Sequence, residues 1–389
     1  MKRVAVVTAT RAEYGLLSPV IRELRKLEND NFRMELIVTG THLSPEYGMT
    51  VNDIGERIDH RVPISVKSGS EEDISGNQAE ALVSFTGLFV RERYDAVILL
   101  GDRYETLAMA IAAGNTRTPI FHLCGGDTTE GALDEWIRHS ITKMSYLHFV
   151  MTEESRRRVV QLGEDPARVF NYGATGIDNA LSAADMSREE ALTSVGLSPE
   201  CIYAICTYHP VTMEGGSVDD KIAEFTAAVE AFPEVHFIVT KSNADQGGAR
   251  INDLLDEASH RIDNMHVFAS LGVRRYLSLM KYAGFVLGNS SSGIIETPAF
   301  GIPTVNIGDR QRGRLQAEST INCGTGREDI IAGIRKAMSP EYKAMCRNVA
   351  SPYGDGHAAV RIAEKTYETV MKGAIDLKKK FYDLTCGER

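Results

Sequence analysis

Short apolar runs alternate with amphipathic helical segments along almost the whole chain of 389 residues. The runs are apolar throughout, which is typical of strands that are covered on both faces. Because a helical segment separates one run from the next, consecutive strands are expected to run in the same direction. The pattern therefore predicts a parallel sheet in the first half, with strands at Val4 to Thr8, Glu35 to Val38, Ala96 to Leu100, Pro119 to Leu123, Leu147 to Met151 and Val169 to Tyr172.

The same pattern restarts after a polar stretch at Leu181 to Ser198. A second parallel sheet is predicted from the runs Ile202 to Thr207, Val235 to Thr240, His266 to Phe268, Phe285 to Leu287 and Thr304 to Ile307. A chain of this length is too long for one core of usual size. We therefore predict an α/β fold with two doubly wound Rossmann-like domains, residues 1–180 and 181–355. A final helix is expected in residues 356–389, and the sequence leaves open whether it returns to the first domain.

Composition excludes several classes of protein. A formal charge of −10 argues against nucleic-acid binding, which normally needs a basic excess. No run approaches the ~20 apolar residues of a membrane span, and the amino terminus is interpreted as a first strand rather than a signal peptide. A cytoplasmic protein is expected. The six cysteines are scattered, and neither a disulfide framework nor a metal site is indicated.

The segment from Phe285 to Arg314 reads as strand, polar loop and helix, with the helix predicted to reach Gly301. Backbone N–H groups of such a turn, together with Ser290, Ser291 and Ser292, would bind a phosphate. Glu296 follows one turn later, where a carboxylate can accept hydrogen bonds from ribose hydroxyls. These features predict a nucleotide diphosphate site, and the alternative is an ordinary helix with a serine N-cap.

Ligands of open parallel sheets bind outside the carboxyl ends of the strands, so the residues that follow each run are the candidates. Arg11 follows the first run and would clamp a phosphate, unless it pairs with Glu13. Asp102 and Arg103 follow the third run, either as an acid beside a phosphate clamp or as a structural ion pair.

Three aspartates of the first half are expected to converge, because Asp127 and Asp134 follow the strand next to that of Asp102. Mutual repulsion and partial desolvation would raise the pKa of at least one of them, as proton transfer at carbon requires. The alternative for Asp134 is a solvated pair with Arg138, which stands four residues later on the same predicted helix.

In the second half, His209, Asn243 and Arg310 stand at strand ends. A lone histidine is more often structural, but His209 is expected to face the acids of the other domain. A G-x-G-x-x-G motif after the first strand is missing, which disfavours a nicotinamide enzyme. Gly126 and Gly131 have the spacing of P-loop glycines, but Ala132 and Leu133 replace the lysine and hydroxyl residue, which disfavours an ATPase.

Seven segments together resemble a known family: TRAEYG, GDRYE, GGDTTEGALDE with IRHSITKMS, TYHPVT, SNADQGG, GNSSSGIIE and NIGDRQRGR. In this order they are similar to the hydrolysing UDP-N-acetylglucosamine 2-epimerases of sialic- and legionaminic-acid biosynthesis. The resemblance implies a fold like that of the two-domain GT-B glycosyltransferases, an interdomain active-site cleft, and neither metal nor cofactor. It also implies conversion of UDP-N-acetylglucosamine, or a 4-acetamido-6-deoxy relative, into UDP and the free 2-epimer, with a homo-oligomeric enzyme.

Site roles follow from the same resemblance. Asp102 and Asp134 match the family's catalytic acids, and Asp127 is the further candidate proton carrier. UDP contacts are expected from Arg11, Arg103, His209, Asn243, Ser290, Ser291, Glu296 and Arg310. Cys124 stands where a glutamate is expected, so either Asp127 takes over or the site accepts another sugar, such as UDP-N,N'-diacetylbacillosamine. A GT-B glycosyltransferase and a non-catalytic nucleotide-sugar binding protein remain the competing hypotheses.

Overall fold

The computed structural model describes residues 1–66, 70–128, 133–209, 217–242, 248–373 and 375–384. The chain divides into two units, one formed by Met1–Asn179 with Gly356–Arg389 and the other by Ala180–Asp355. Each unit is an α/β layer structure around its own parallel sheet. The predicted fold class is therefore confirmed.

The first unit contains a seven-stranded sheet in the order β3-β2-β1-β4-β5-β6-β7. Its strands are β1 (Lys2–Thr8), β2 (Phe32–Thr39), β3 (His60–Val62), β4 (Ala96–Leu100), β5 (Ile120–Leu123), β6 (Leu147–Val150) and β7 (Val169–Asn171). The helices are α1 (Arg11–Lys26), α2 (Glu71–Glu92), α3 (Tyr104–Asn115), α4 (Leu133–Met144), α5 (Glu153–Gln161), α6 (Thr175–Ala183), which runs into the second unit, and α14 (Ala358–Met371). All six predicted strands are present.

The second unit contains a six-stranded sheet in the order β10-β9-β8-β11-β12-β13. Its strands are β8 (Ile202–Thr207), β9 (Val235–Thr240), β10 (Met265–Phe268), β11 (Phe285–Gly288), β12 (Thr304–Ile307) and β13 (Thr320–Cys323). The helices are α7 (Arg188–Thr193), α8 (Val218–Glu230), α9 (Gly248–Ser259), α10 (Gly272–Tyr282), α11 (Ser292–Ile295), α12 (Arg327–Met338) and α13 (Pro340–Cys346).

Two edge strands, β3 and β13, were not predicted. Each lies at the end of its sheet, and its side chains are partly exposed, so its sequence lacks a continuous apolar run. The polar stretch at Leu181 to Ser198 is also more ordered than its composition indicates. It contains α7, and Met186, Ala191 and Leu192 are buried in the core of the second unit.

The last helix, α14, packs within the first unit. Ala359, Ile362 and Ala363 are buried in the same cluster as Leu17 and Ile21 of α1. An ordered tail follows, in which Tyr382 N–H donates to Gly163 O at 3.0 Å. In the part of the chain that the structure describes, no helix is long and apolar enough to cross a membrane.

In each sheet, the first strands along the chain are added towards one edge and the later strands towards the other edge. In the first unit the point of change lies between β1 and β4, and in the second between β8 and β11. Loops on the two sides of such a point diverge and leave a crevice at the carboxyl ends of the strands. Most of the predicted site residues follow the strands at these two points or their immediate neighbours.

Candidate functional site

The loop after β1 is organised by a capping box. Thr10 caps α1, and the Glu13 carboxylate accepts hydrogen bonds from Ala9 N at 2.7 Å and Thr10 N at 3.1 Å. Burial raises the pKa of Glu13 to about 7. The carboxylate is therefore turned towards the backbone rather than towards Arg11. Arg11 itself is exposed at the first position of α1, and the structure describes no ion pair between it and Glu13.

Arg103 pairs with Glu105 and not with Asp102, which was its partner in the ion pair considered as the alternative to a phosphate clamp. Its Nε lies 2.6 Å from Oε1 of the buried Glu105 and 4.0 Å from Glu13 Oε1. The Arg103 side chain remains two-fifths exposed to solvent. The main role that the geometry gives it is to neutralise two buried carboxylates.

Arg138 of α4 joins the loops that carry two of the predicted acids. Its guanidinium contacts Asp102 Oδ2 through Nε, at 2.8 Å, and through Nη2, and its Nη1 donates to the backbone carbonyl of Asp127 at 2.9 Å. Nη1 also lies 3.2 Å from Glu135 Oε2. Only 5% of Arg138 is exposed, so these charges interact in a poorly hydrated environment. Asp102 and the Asp127 loop are thus brought together.

The Asp127 side chain is held from the other side by α5. Ser155 Oγ donates to Asp127 Oδ1 at 2.5 Å. Burial raises the pKa of Asp127 above its ordinary value and nearby Asp102 adds to this, while Ser155, Arg138 and Arg158 act in the opposite direction. A raised pKa means that this carboxyl group holds a proton more readily than an ordinary aspartate does.

The surroundings of Cys124 and Asp134 differ from those of Asp127. Burial raises the pKa of the Cys124 thiol to about 12, and the charges of Asp127 and Asp102 contribute, so this thiol is no proton acceptor at neutral pH. Asp134 is exposed in the first turn of α4. The alternative for Asp134 was a pair with Arg138, one turn later on the same helix. The main carboxylate contact of Arg138 is instead with Asp102.

Asn289 organises the crevice of the second unit. Its side chain accepts a hydrogen bond from His209 N at 2.7 Å and donates to His209 O at 2.9 Å, which fixes the chain after β8. Its backbone carbonyl accepts from Arg310 Nη1 at 3.0 Å and from Gln311 Nε2 at 2.8 Å. His209 and Arg310, predicted from distant strand ends, are therefore both attached to one residue. His209 Nδ1 also lies 3.1 Å from Ser242 Oγ at the end of β9.

The serine loop differs from its prediction in one respect. The α-helix after it is a single short turn, Ser292–Ile295. A 3-10 turn, Thr297–Phe300, follows; it contains Pro298 and ends before Gly301. A proline inside a helix removes a backbone donor and interrupts the α pattern. The predicted continuous helix to Gly301 is therefore wrong, and the loop has no long helix dipole behind it. Binding of a phosphate at this loop stays a prediction and would depend on the serine hydroxyls and nearby cations. Ser290 and Ser291 are partly exposed at the carboxyl end of β11.

Glu296 follows the serine loop and has a buried carboxyl oxygen. Burial raises its pKa to about 7, although hydrogen bonding from Ser292 and the charge of Arg314 lower it. Its Oε2 is buried and makes no hydrogen bond in the structure. A buried carboxylate oxygen without a donor is costly, so a hydroxyl donor from a ligand would be favourable.

A cavity of about 900 Å³ opens beside this crevice, at the carboxyl ends of β12 and β13. Arg312, Arg314 and Asn322 are among the residues that line it. Asn243, predicted as a further UDP contact, lies outside the described residues.

Comparison with known proteins decides the family. The model of the family described as UDP-N-acetylglucosamine 2-epimerase matches residues 25–366. The chain belongs to the UDP-N-acetylglucosamine 2-epimerase family. Among curated members, it is 36% identical to polysialic acid biosynthesis protein P7 of Escherichia coli, over 99% of this chain and 98% of that protein.

Two further members of the epimerase family carry the word hydrolyzing in their names. GDP/UDP-N,N'-diacetylbacillosamine 2-epimerase of Campylobacter jejuni is 36% identical over 88% of this chain and 89% of its own. UDP-N,N'-diacetylbacillosamine 2-epimerase of Legionella pneumophila is 32% identical over 93% of this chain and 94% of its own. The solved UDP-GlcNAc 2-epimerase of Neisseria meningitidis bound to UDP-GlcNAc has the same fold, with a TM-score of 0.79, 20% identity, and coverage of 95% of this chain and 100% of its own.

Sequence reasoning did not assign a site role to three residues of this epimerase-family chain. Arg138 was considered only as a helical partner of Asp134, and Asn289 and Ser155 were not singled out. Asn289 could have been recognised as a candidate, because it directly follows a predicted strand. Arg138 and Ser155 lie within or at the start of helices, and only the fold shows that they reach Asp102 and Asp127.

Proposed function

We propose that this protein is a hydrolysing 2-epimerase that converts a UDP-2-acetamido sugar and water into UDP and the free 2-epimeric sugar. The observation that carries the proposal is the arrangement of Asp102 and Asp127 around Arg138, with a raised pKa at Asp127. Two acids held together in different environments suit a reaction that needs both a proton acceptor and a proton donor.

The chemistry requires two proton transfers at the same carbon. A base first removes the proton from C2 while the bond between C1 and the UDP oxygen breaks, which gives UDP and a glycal. Water then adds its oxygen to C1, and a proton is delivered to C2 on the opposite face. We assign these proton transfers to Asp102, Asp127 and Asp134, because transfer at two faces needs at least two carriers.

The leaving diphosphate must be stabilised as its charge develops. In the proposal His209, Ser290, Ser291 and Arg310 contact the diphosphate, and Glu296 accepts hydrogen bonds from ribose hydroxyls. The attachment of His209 and Arg310 to Asn289 and the unpaired Oε2 of Glu296 support these roles. Arg11 and Arg103 are further candidates, and Arg103 already balances Glu105.

Two sugars are candidates for the substrate. UDP-N-acetylglucosamine is favoured by the family as a whole, and UDP-N,N'-diacetylbacillosamine by the names of the Campylobacter and Legionella relatives. The second would place the protein in legionaminic-acid rather than sialic-acid biosynthesis. A homo-oligomeric enzyme located in the cytoplasm stays a prediction.

A proton NMR time course in deuterated water tests the proposal. The purified protein is given each UDP-sugar alone, and UDP release and deuterium at C2 of the free sugar are followed. We expect both signals from at least one sugar without an added acceptor. Release of UDP only with an acceptor would indicate a glycosyltransferase, and UDP binding without turnover of either sugar would indicate a binding protein.

A further inference from the structure

His122 is the residue at which the segments beside the proposed catalytic acids meet. It lies in β5 and is completely buried. Its Nε2 is 2.8 Å from Gly101 O, and its Nδ1 is 3.3 Å from Thr142 Oγ1. Gly101 immediately precedes Asp102, and Thr142 follows Arg138 by one turn of α4.

The protonation state of His122 follows from its surroundings. Burial lowers the pKa of His122 to about 3, so the imidazole is neutral at physiological pH. A neutral imidazole has one donor and one acceptor nitrogen. Because the carbonyl of Gly101 only accepts, the proton is assigned to Nε2, and Nδ1 accepts from the Thr142 hydroxyl. Both nitrogens are then satisfied, and the one ring N–H proton is donated to the buried Gly101 carbonyl.

The hydrogen bond from His122 fixes the position of the Gly101 backbone, and Asp102 is the next residue. Gly101 N donates to Leu123 O at 3.1 Å and Gly101 O accepts from His122, so both polar groups of this residue are held by β5. Gly101 has φ of +79°, which a residue with a side chain adopts only with strain. Without the imidazole donor, its carbonyl would be a buried acceptor with one fewer partner.

The loop that contains Asp127 also packs against the His122 imidazole. A Cβ on Gly125 would lie 2.9 Å from both His122 Nδ1 and Thr142 Oγ1, so only glycine allows the loop to approach this closely. His122 therefore contacts the segment before Asp102, the segment before Asp127 and the helix of Arg138.

We propose that His122 is a positioning residue for Asp102: through the Gly101 carbonyl it directs the Asp102 carboxylate towards Arg138. This inference rests on the proposed function of Asp102. In this proposal the imidazole transfers no proton to or from the substrate. It fixes the position of the Asp102 carboxylate.

Two amide variants separate the two hydrogen bonds of His122. In His122→Gln the terminal amide can occupy the position of Nε2 and donate to Gly101 O, whereas in His122→Asn the shorter amide reaches only the position of Nδ1. We expect kcat of His122→Gln within about threefold of wild type and kcat of His122→Asn lower by roughly tenfold to a hundredfold, with KM and UDP affinity unchanged in both. Thr142→Val, which removes only the second hydrogen bond, is the matched control with near-normal kcat.

The Asp102→Asn background shows whether His122 acts through Asp102. We expect His122→Asn to cause no further loss of kcat there, because coupled residues are not additive. Full additivity of the two losses would overturn the proposal. So would a wild-type kcat for folded His122→Asn, or an equal loss in folded His122→Gln and His122→Asn.

A measurement on the wild-type protein remains informative if the variants do not fold or if no UDP-sugar is turned over. Histidine ¹⁵N shifts, assigned with the His122→Gln or His122→Asn spectrum or by through-bond experiments, report the tautomer. We expect His122 to be neutral with the proton on Nε2 between pH 5 and 8. Titration in this range, or a proton on Nδ1, would overturn the proposal, whereas absence of turnover alone would reject the proposed function.

Discussion

Arg138 of α4 binds the Asp102 carboxylate after β4, although the two residues are 36 positions apart in the chain. Both contacts of the guanidinium with Asp102 are made to Oδ2. The same guanidinium holds the main chain of Asp127. One buried cation therefore sets the distance between two proposed proton carriers.

Replacing Arg138 by lysine keeps the charge but not the planar fork. A lysine cannot contact Asp102 and the Asp127 carbonyl in the same geometry. We expect kcat to fall by about a hundredfold with UDP affinity retained. Steady-state kinetics and calorimetry measure the two quantities. Arg157→Lys, in the exposed part of α5, serves as control, and a normal kcat for Arg138→Lys would remove the bidentate contact from the mechanism.

Asp102→Asn removes the charge while it keeps the shape of the side chain. UDP binding is expected to be retained, and turnover to fall by about a hundredfold or more, because a proton carrier is lost. Deuterium incorporation at C2 should fall in parallel with UDP release. A near-normal rate would show that Asp102 does not transfer the proton.

For Arg310→Ala the expected change is in binding. A charge-assisted hydrogen bond contributes about 1.5–3 kcal/mol, so the Kd for UDP should rise by roughly tenfold to a hundredfold. Arg312→Ala is the matched control, because the Arg312 side chain is 83% exposed and lies two residues away. An equal effect of both substitutions on the calorimetric Kd would mean that only general positive charge matters.

We expect Glu296 to make UDP binding depend on pH. Its pKa of about 7 means that the carboxyl group is protonated below this value and is then a weaker acceptor for ribose hydroxyls. UDP affinity should therefore rise as pH increases from 6 to 8. In Glu296→Gln this part of the pH dependence should disappear, while the titration of UDP itself remains. Parallel pH profiles of the two proteins would contradict a role of Glu296 in ribose binding.

Lys379 of the carboxyl-terminal tail pairs with the buried Glu164 at 2.6 Å. Burial alone would raise the pKa of Glu164, but hydrogen bonds from His148, Lys143 and Lys379 lower it to about 2. Its carboxylate thus contributes stability that is fully present above the unfolded pKa of about 4.5 and is lost as pH falls towards 2.

Loss of one partner of this buried carboxylate should be measurable. Lys379→Met is expected to lower the free energy of unfolding at pH 7 by about 1–3 kcal/mol, and the difference from wild type should shrink at pH 3.5. Urea unfolding at both pH values measures this. The exposed Lys380→Met provides the control, and identical unfolding midpoints for the two variants would show that the tail contact does not stabilise the fold.

The order of apolar runs and helical segments was enough to predict two parallel α/β units, since short runs that are apolar throughout are typical of strands covered on both faces. The strand-end motifs were likewise enough to indicate the family and most candidate residues. What the sequence determined is thus local: which segments are strands, and which polar residues stand at their ends.

Only the tertiary structure decided which partner each polar residue has. Spacing along α4 suggested Asp134 for Arg138, but the parallel neighbours β4 and β5 bring Asp102 to it. In the same way, Asn289 forms hydrogen bonds with His209 and Arg310, which follow strands that are far apart in the chain. Contacts of this kind depend on which strands are adjacent and in what register, and no local pattern of residues contains that information.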